Sequence, residues 1–223
     1  MSSFEAREYV RQAQSIVRLA FNKMNRGLDQ WKTSRTSGLN ILQELANNFL
    51  EEQFLKKREL GVLARIEGLA DAAINKLRNK RFGLMAQLRK VCKGFGEATA
   101  LLTTAVEDVR GLSQTQTGLK FKDTAIFKSL PLTFFAELLS GVGSMHAAEA
   151  QLKLVILRCL EALVSGRNAG EETCSGAKVA PRPPTDLRPH AMMCCALWSL
   201  EPHIQEGRIE AATGMIRDEM AGM

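Results

Sequence analysis

The sequence predicts an all-α fold: an elongated bundle of three long helices with coiled-coil-like packing, plus a short C-terminal helix. Three observations carry that expectation. Apolar residues recur at alternating steps of three and four through most of the first 164 residues; Pro131 is the only proline before position 181; and β-branched residues never cluster, with aromatics at only 6%. A chain of 223 residues, 45% hydrophobic and 24% charged, can bury a sizeable core. Its longest apolar run, 191–198, falls short of the roughly 18–20 residues that cross a bilayer, so no membrane association is expected.

The first helix is expected over 4–57. Val10, Ala13, Val17, Ala20, Met24, Leu28, Trp31, Arg35, Gly38, Leu42, Leu45 and Phe49 hold one phase, although Thr33, Ser34, Thr36, Ser37 and Gly38 crowd together like a loop. An intervening loop would match the repeat only by chance, so the helix runs through, with Gly27 and Gly38 as candidate bends. Gly38 on the stripe implies a partner helix close enough to exclude a side chain. At 1.5 Å per residue such a helix is roughly 70–80 Å long.

A second helix is expected over 60–112, clearest where Leu84, Leu88, Val91, Phe95, Ala98, Leu102, Ala105, Val109 and Leu112 step by four and three. The interval 113–123 is turn-rich. A third helix opens at Pro131, a favourable first-turn residue, and continues through Phe135, Leu138, Val142, Met145, Glu149, Leu152, Ile156, Cys159 and Leu163. Residues 1–164 therefore form the long-helix bundle. Residues 165–189, with four prolines and three glycines, lack the apolar surface to offset ordering and read as a flexible linker. Residues 190–223 form a C-terminal helical segment that packs back: an apolar helix at 190–200, then a polar stretch opened by Pro202. Five acids against two bases make 199–223 acidic, although the whole chain carries +6.

The most distinctive charge feature lies at 75–96, where Lys76, Arg78, Lys80, Arg81, Arg89, Lys90 and Lys93 occur with no acid between Asp71 and Glu97. Seven like charges repel one another, so an acidic surface is expected against them. An acidic partner protein or a solvated face fits better than nucleic acid, because no aromatics are interleaved as stacking platforms. Nucleic-acid contact through Lys76, Lys80, Arg89, Lys90 and Lys93 is expected to be weak and non-specific.

No catalytic arrangement is apparent, and no cofactor is expected. His146 has no Ser or Cys placed to use it as a base, and reads as a satisfied interface histidine. His190, Cys194, Cys195, Cys174 and His203 lack any Cys-x-x-Cys pair, so buried thiols are expected rather than zinc ligands. Gly94, Gly96, Gly141 and Gly143 lie within helical patterns rather than after strands, which argues against a phosphate loop. Five irregularly spaced cysteines suit a reducing compartment. Charged residues near the start, Glu5, Arg7, Glu8 and Arg11, argue against secretion; a mitochondrial presequence is the lesser alternative.

Three landmarks stand in order: Trp31 followed by Gly38, Pro131 with Thr133 followed by Phe135, and Trp198 followed by Pro202. Their order and spacing within this helical plan resemble the cyclin-dependent kinase 2-interacting protein family, over about 170 residues. The Pro/Gly linker at 165–189 departs from the family pattern. The resemblance implies a non-enzymatic adaptor, nuclear and also cytoplasmic, linked to DNA replication, checkpoint kinases and an AAA+ ATPase complex in ribosome maturation, with a second small helical subunit. It implies that Trp31, Gly38, Phe135, Trp198 and Pro202 belong to a partner interface. The residues alone leave open a basic helical nucleic-acid-binding factor and a coiled-coil subunit of a cytoskeletal or kinetochore assembly. None of the six prolines follows Ser or Thr, so the minimal target of a proline-directed kinase is absent. Arg26-Gly27-Leu28, Arg110-Gly111-Leu112 and Arg158-Cys159-Leu160 resemble cyclin-docking triplets, but their leucines are expected to face the bundle.

Overall fold

The computed structural model describes residues 3–56, 66–165 and 188–221. It is all-α, with six helices and no strand among the described residues: α1 Ser3–Lys56, α2 Leu69–Ser113, α3 Gln116–Lys120, α4 Leu132–Ser165, α5 Arg188–Leu200 and α6 Glu206–Met220. The expected helix through the Ser/Thr cluster is one unbroken helix of 54 residues. Thr33, Thr36 and Ser37 face solvent, where poor helix propensity costs only a few tenths of a kcal/mol each, while Trp31, Leu42, Leu45 and Phe49 are buried on the stripe. Much of the expected linker, and residues 60–65 of the expected second helix, lie outside the described residues; residues 66–68, also expected in that helix, form a turn instead, with Gly68 at φ 72°, so α2 begins at Leu69.

Two elements exceed the sequence expectation. Within 113–123 a five-residue helix, α3, is capped by Thr115, whose hydroxyl accepts from Gly118 N–H at 3.0 Å. The polar stretch after Pro202 becomes α6, because Ala212 and Ile216 bury one side of an otherwise exposed helix.

By their contacts the residues group into two compact units that cut across the long helices. The first comprises Met1–Lys32, Gly94–Ala150 and Pro202–Met223; the second comprises Thr33–Lys93 and Gln151–Glu201. In the first unit, α1 contributes Ala13, Val17 and Met24, α2 contributes Leu102, Ala105 and Val109, and α4 contributes Phe135, Leu139 and Val142 to one core that α6 closes with Ile216. Glu219 of α6 caps the loop before α4. It accepts from the backbone N–H groups of Lys128 and Ser129 at 3.0 Å and Leu130 at 3.3 Å, and from the Ser129 hydroxyl at 2.5 Å.

The second unit is held by buried charge as well as apolar packing. Arg81 of α2 points inward, donating to Glu52 at 2.5 Å and to the Asn48 side chain at 2.9 Å, with its guanidinium 4.1 Å from the Phe49 ring centroid. Burial alone would push the Glu52 carboxyl up; hydrogen bonds and charge from Lys56 and Arg81 outweigh it and hold the group below its usual range. Across the same unit, α5 lies on α1 and α4, with Ala191 packed beside Ala46 and Phe49.

The apolar stripe expected along α4 is rotated by about one position in its second half. Met145, Leu152 and Leu163 are only half-buried and Cys159 is exposed, whereas His146, Lys153, Leu157 and Leu160 are buried. A straight helix turns every 3.6 residues, so an apolar repeat followed at 3.5 drifts by about 20° per heptad. The true stripe also passes through three polar residues, His146, Glu149 and Lys153, of which the expected repeat included only Glu149.

Candidate interaction surfaces

Four of the five residues that the resemblance places at a partner interface lie inside the chain's own packing. Trp31 is buried with its ring centroid 4.4 Å from Phe95 and 4.8 Å from His146, both edge-on. Phe135 is fully buried, 5.6 Å from the Phe127 ring. Gly38 does mark a close approach, but the neighbour is α5 of the same chain. A Cβ built there would lie 2.6 Å from Trp198 Cε2 and closer still to Cζ2. Pro202 alone of the five is exposed, in the turn between α5 and α6.

The Gly38 notch and Trp198 form a dense polar anchor. Trp198 is 0% exposed, and its indole N–H donates to the Arg35 carbonyl at 3.1 Å. Arg35 returns a hydrogen bond to the Ser199 carbonyl at 3.0 Å and pairs with Glu201 at 3.1 Å. From α4, Lys153 donates to the Trp198 carbonyl at 2.7 Å, lies 5.0 Å from the indole and reaches Glu201 at 3.8 Å. The end of α5 thus satisfies a free carbonyl with a buried ammonium. Glu201 then reverses the chain at φ 45°, a left-handed conformation unusual for a residue with a side chain. Sequence reasoning missed Lys153 and Glu201; for Lys153 the available signal was the i, i+3, i+7 run of His146, Glu149 and Lys153 along one face of α4.

His146 is not exposed to a partner. Burial pushes its imidazole pKa down, against the raising effects of its hydrogen bond with the Val142 carbonyl and of nearby Glu149. The neutral ring, with Nδ1–H donating to Val142 at 2.8 Å, fits that environment.

The basic segment of α2 is partly answered within the chain. Arg81 is buried on Glu52, Arg78 stands 3.7 Å from Glu52, Lys80 stands 3.6 Å from Glu44, and Arg89 pairs with Glu161 at 2.6 Å. Lys76 and Lys90 have no such acidic neighbour among the described residues. At 100° per residue, Asn79, Gly83, Ala86, Lys90 and Lys93 follow one another on the side of α2 opposite Leu84, Leu88 and Phe95. All five are exposed, a Cβ at Gly83 would touch nothing within 4 Å, and beside them Phe82 is 59% exposed. The result is a low ridge of small residues flanked by ammonium groups and one aromatic ring.

A concave feature of about 230 Å³ lies in the first unit, lined by Leu138, Val142, Met145, Arg208 and Met215. No group of His, Cys, Asp and Glu among the described residues is arranged to hold a metal ion, and none of the described helices is long and apolar enough to cross a membrane. No protein-family profile, curated protein or solved structure matches the chain.

Proposed function

We propose that the protein is a non-enzymatic helical adaptor, a subunit of a nuclear complex linked to DNA replication and to AAA+ ATPase-dependent ribosome maturation, that binds an acidic protein surface along α2. The observation supporting the binding mode is the exposed ridge of Gly83, Ala86, Lys90 and Lys93 beside Phe82. Small residues let a partner approach the helix axis, the ring offers an apolar contact, and the ammonium groups steer an acidic partner. The assignment to that complex rests on the sequence resemblance alone. Cyclin-dependent kinase and checkpoint proteins belong to the same proposal as docking partners.

The experiment is affinity purification of the tagged protein from native nuclear extract, run beside a Lys90→Glu/Lys93→Glu variant. The reading expects an AAA+ ATPase and small helical subunits with the wild type, and their loss or reduction with the variant. Identical partner sets for the two proteins would remove α2 as the binding surface. The second reading, a nucleic-acid-binding factor, is favoured by the same cations. It takes first place if binding to RNA or DNA is tight and persists near 200 mM salt, a concentration at which incidental attraction to a basic helix is largely screened.

A further inference from the structure

The hollow of about 230 Å³ in the first unit is a groove between α4 and α6. Just before α4, Glu219 of α6 accepts from the Lys128 and Ser129 N–H groups at 3.0 Å; toward the other end, the His203 backbone N–H before α6 donates to Glu149 of α4 at 3.1 Å. The two helices therefore run antiparallel. Buried Val142 and Ala212 form the floor, and less buried Leu138 and Met145 of α4 face Met215 of α6 as walls. Lining residues recur at steps of three and four on both helices, so the groove follows their axes for about two turns.

Two features of the groove are unexplained by the chain's own packing. Gly141 lies on its α4 side in the interior of the helix, where glycine costs helix stability, yet a Cβ there would meet nothing within 4 Å. The lips also carry opposite charges with no partner of opposite sign. Glu137 stands on α4 and Arg208 on α6, both exposed; Arg208 makes a long 3.4 Å hydrogen bond to Gln205, and neither meets an opposite charge among the described residues. Measured between the two end contacts at 1.5 Å per residue, Arg208 lies roughly 8 Å nearer the Glu149 end than Glu137 does.

We propose that the groove is a docking site for one amphipathic helix of a partner protein, with an acidic residue on one flank of its apolar stripe and a basic residue five positions on, on the other flank. Positions five apart lie about 140° apart around a helix and about 7.5 Å apart along it. The acid then meets Arg208 and the base meets Glu137, while two aliphatic side chains between them enter the space over Gly141. A uniformly acidic or uniformly basic surface would leave one lip against its own charge, and a small apolar molecule would leave both lips in water. The site shares no residue with the α2 ridge, whose cations suit a purely acidic surface, and it stands independently of that reading.

The test uses the full chain and three fluorescent, Ala-rich helical peptides of about 20 residues, built on the core Glu-Leu-x-x-Leu-Lys or with its charged pair replaced by Glu/Glu or Lys/Lys. Fluorescence anisotropy should rank the Glu/Lys peptide at least about threefold tighter than either relative. Glu137→Lys should move first place to the Glu/Glu peptide, and Arg208→Glu should move it to the Lys/Lys peptide. Gly141→Leu should fill the groove and weaken the best peptide at least about tenfold, while the melting temperature stays level or rises because leucine favours the helix. No binding by any of the three peptides, equal binding of all three, or a ranking that the lip variants leave unmoved would overturn the proposal. So would peptide binding untouched by Gly141→Leu, or a lowered melting temperature in that variant, which would give the space to the chain's own packing. Self-association of the free chain that Gly141→Leu abolishes would also overturn it, in favour of a second copy as occupant.

Discussion

At the residue scale, Gly38 and Trp198 are a matched pair, and each can be tested alone. Gly38→Ala puts a methyl group into the indole, and overpacking of this kind costs about 1–3 kcal/mol. Trp198→Ala empties the notch and should cost about 3–5 kcal/mol. Urea unfolding reads both, and amide exchange should accelerate first across α5. An unchanged unfolding midpoint for Gly38→Ala would mean that α5 does not sit in that notch. Arg81 gives a complementary case, because its partner is a buried carboxylate rather than a ring. Arg81→Met leaves Glu52 without its closest cation and should cost about 3–5 kcal/mol, whereas adding Glu52→Leu should recover most of the loss. A double variant as unstable as the single one would show that the pair contributes net stability beyond cancelling its own desolvation.

At the element scale, the cap that α6 places on the loop before α4 gives the protein an acid-sensitive contact. Burial would raise the Glu219 carboxyl, but hydrogen bonds from the Ser129 hydroxyl and from the Ser129, Leu130 and Lys128 N–H groups hold it below its ordinary value of 4.5. A carboxyl depressed by folding adds stability that is complete above its unfolded value and is lost as pH falls through the folded one. Thermal melts should therefore decline below about pH 4.5, more steeply in wild type than in Glu219→Gln. The variant should itself be about 1.5–3 kcal/mol less stable at neutral pH, since it gives up a charged acceptor. Parallel acid limbs for the two proteins would exclude Glu219 as a contributor.

On α2 the same scale separates binding from folding. Lys90 and Lys93 are exposed, so Lys90→Glu/Lys93→Glu should slow association severalfold, with little change in the melt of the free protein. Arg89→Glu is a different experiment, because it also breaks the pair with Glu161. Stopped-flow association at two salt concentrations distinguishes them: steering falls with salt, and a loss caused by misfolding does not.

At the scale of the whole molecule, neither compact unit is a continuous piece of chain, and the C-terminal segment serves both. Trp198 of α5 fills the second unit and Ile216 of α6 the first. Ending the chain at residue 187 should therefore destabilise both units, visible as a lowered midpoint and binding of a hydrophobic dye. An intact, dye-silent product would show that both units close without the segment. The kinase docking triplets also belong to this scale. Leu112 and Leu160 are buried and Leu28 is half-buried, so none presents an open docking leucine. With no Ser/Thr-Pro site in the chain, a purified cyclin-dependent kinase should incorporate no stoichiometric phosphate.

Helix type and approximate extent were legible because they depend on local periodicity, which survives any tertiary arrangement. The stripe that continues past Thr33 and Ser37 from Trp31 to Leu42 predicted the unbroken α1, and the run from Leu84 to Leu112 predicted the buried face of α2 except at Val91, where Cys92 is buried instead. The apolar bulk of Trp31, Phe135 and Trp198 marked them as buried against something. Whether that something was a second protein or the same chain is a question of which distant segments meet, and local pattern carries no information on it. Tertiary structure alone decided that Trp198 fills the space beside Gly38. It also turned Lys153 and Arg81 inward, because a charge stays buried only where Glu201, Glu52 or a carbonyl from elsewhere in the chain arrives to meet it.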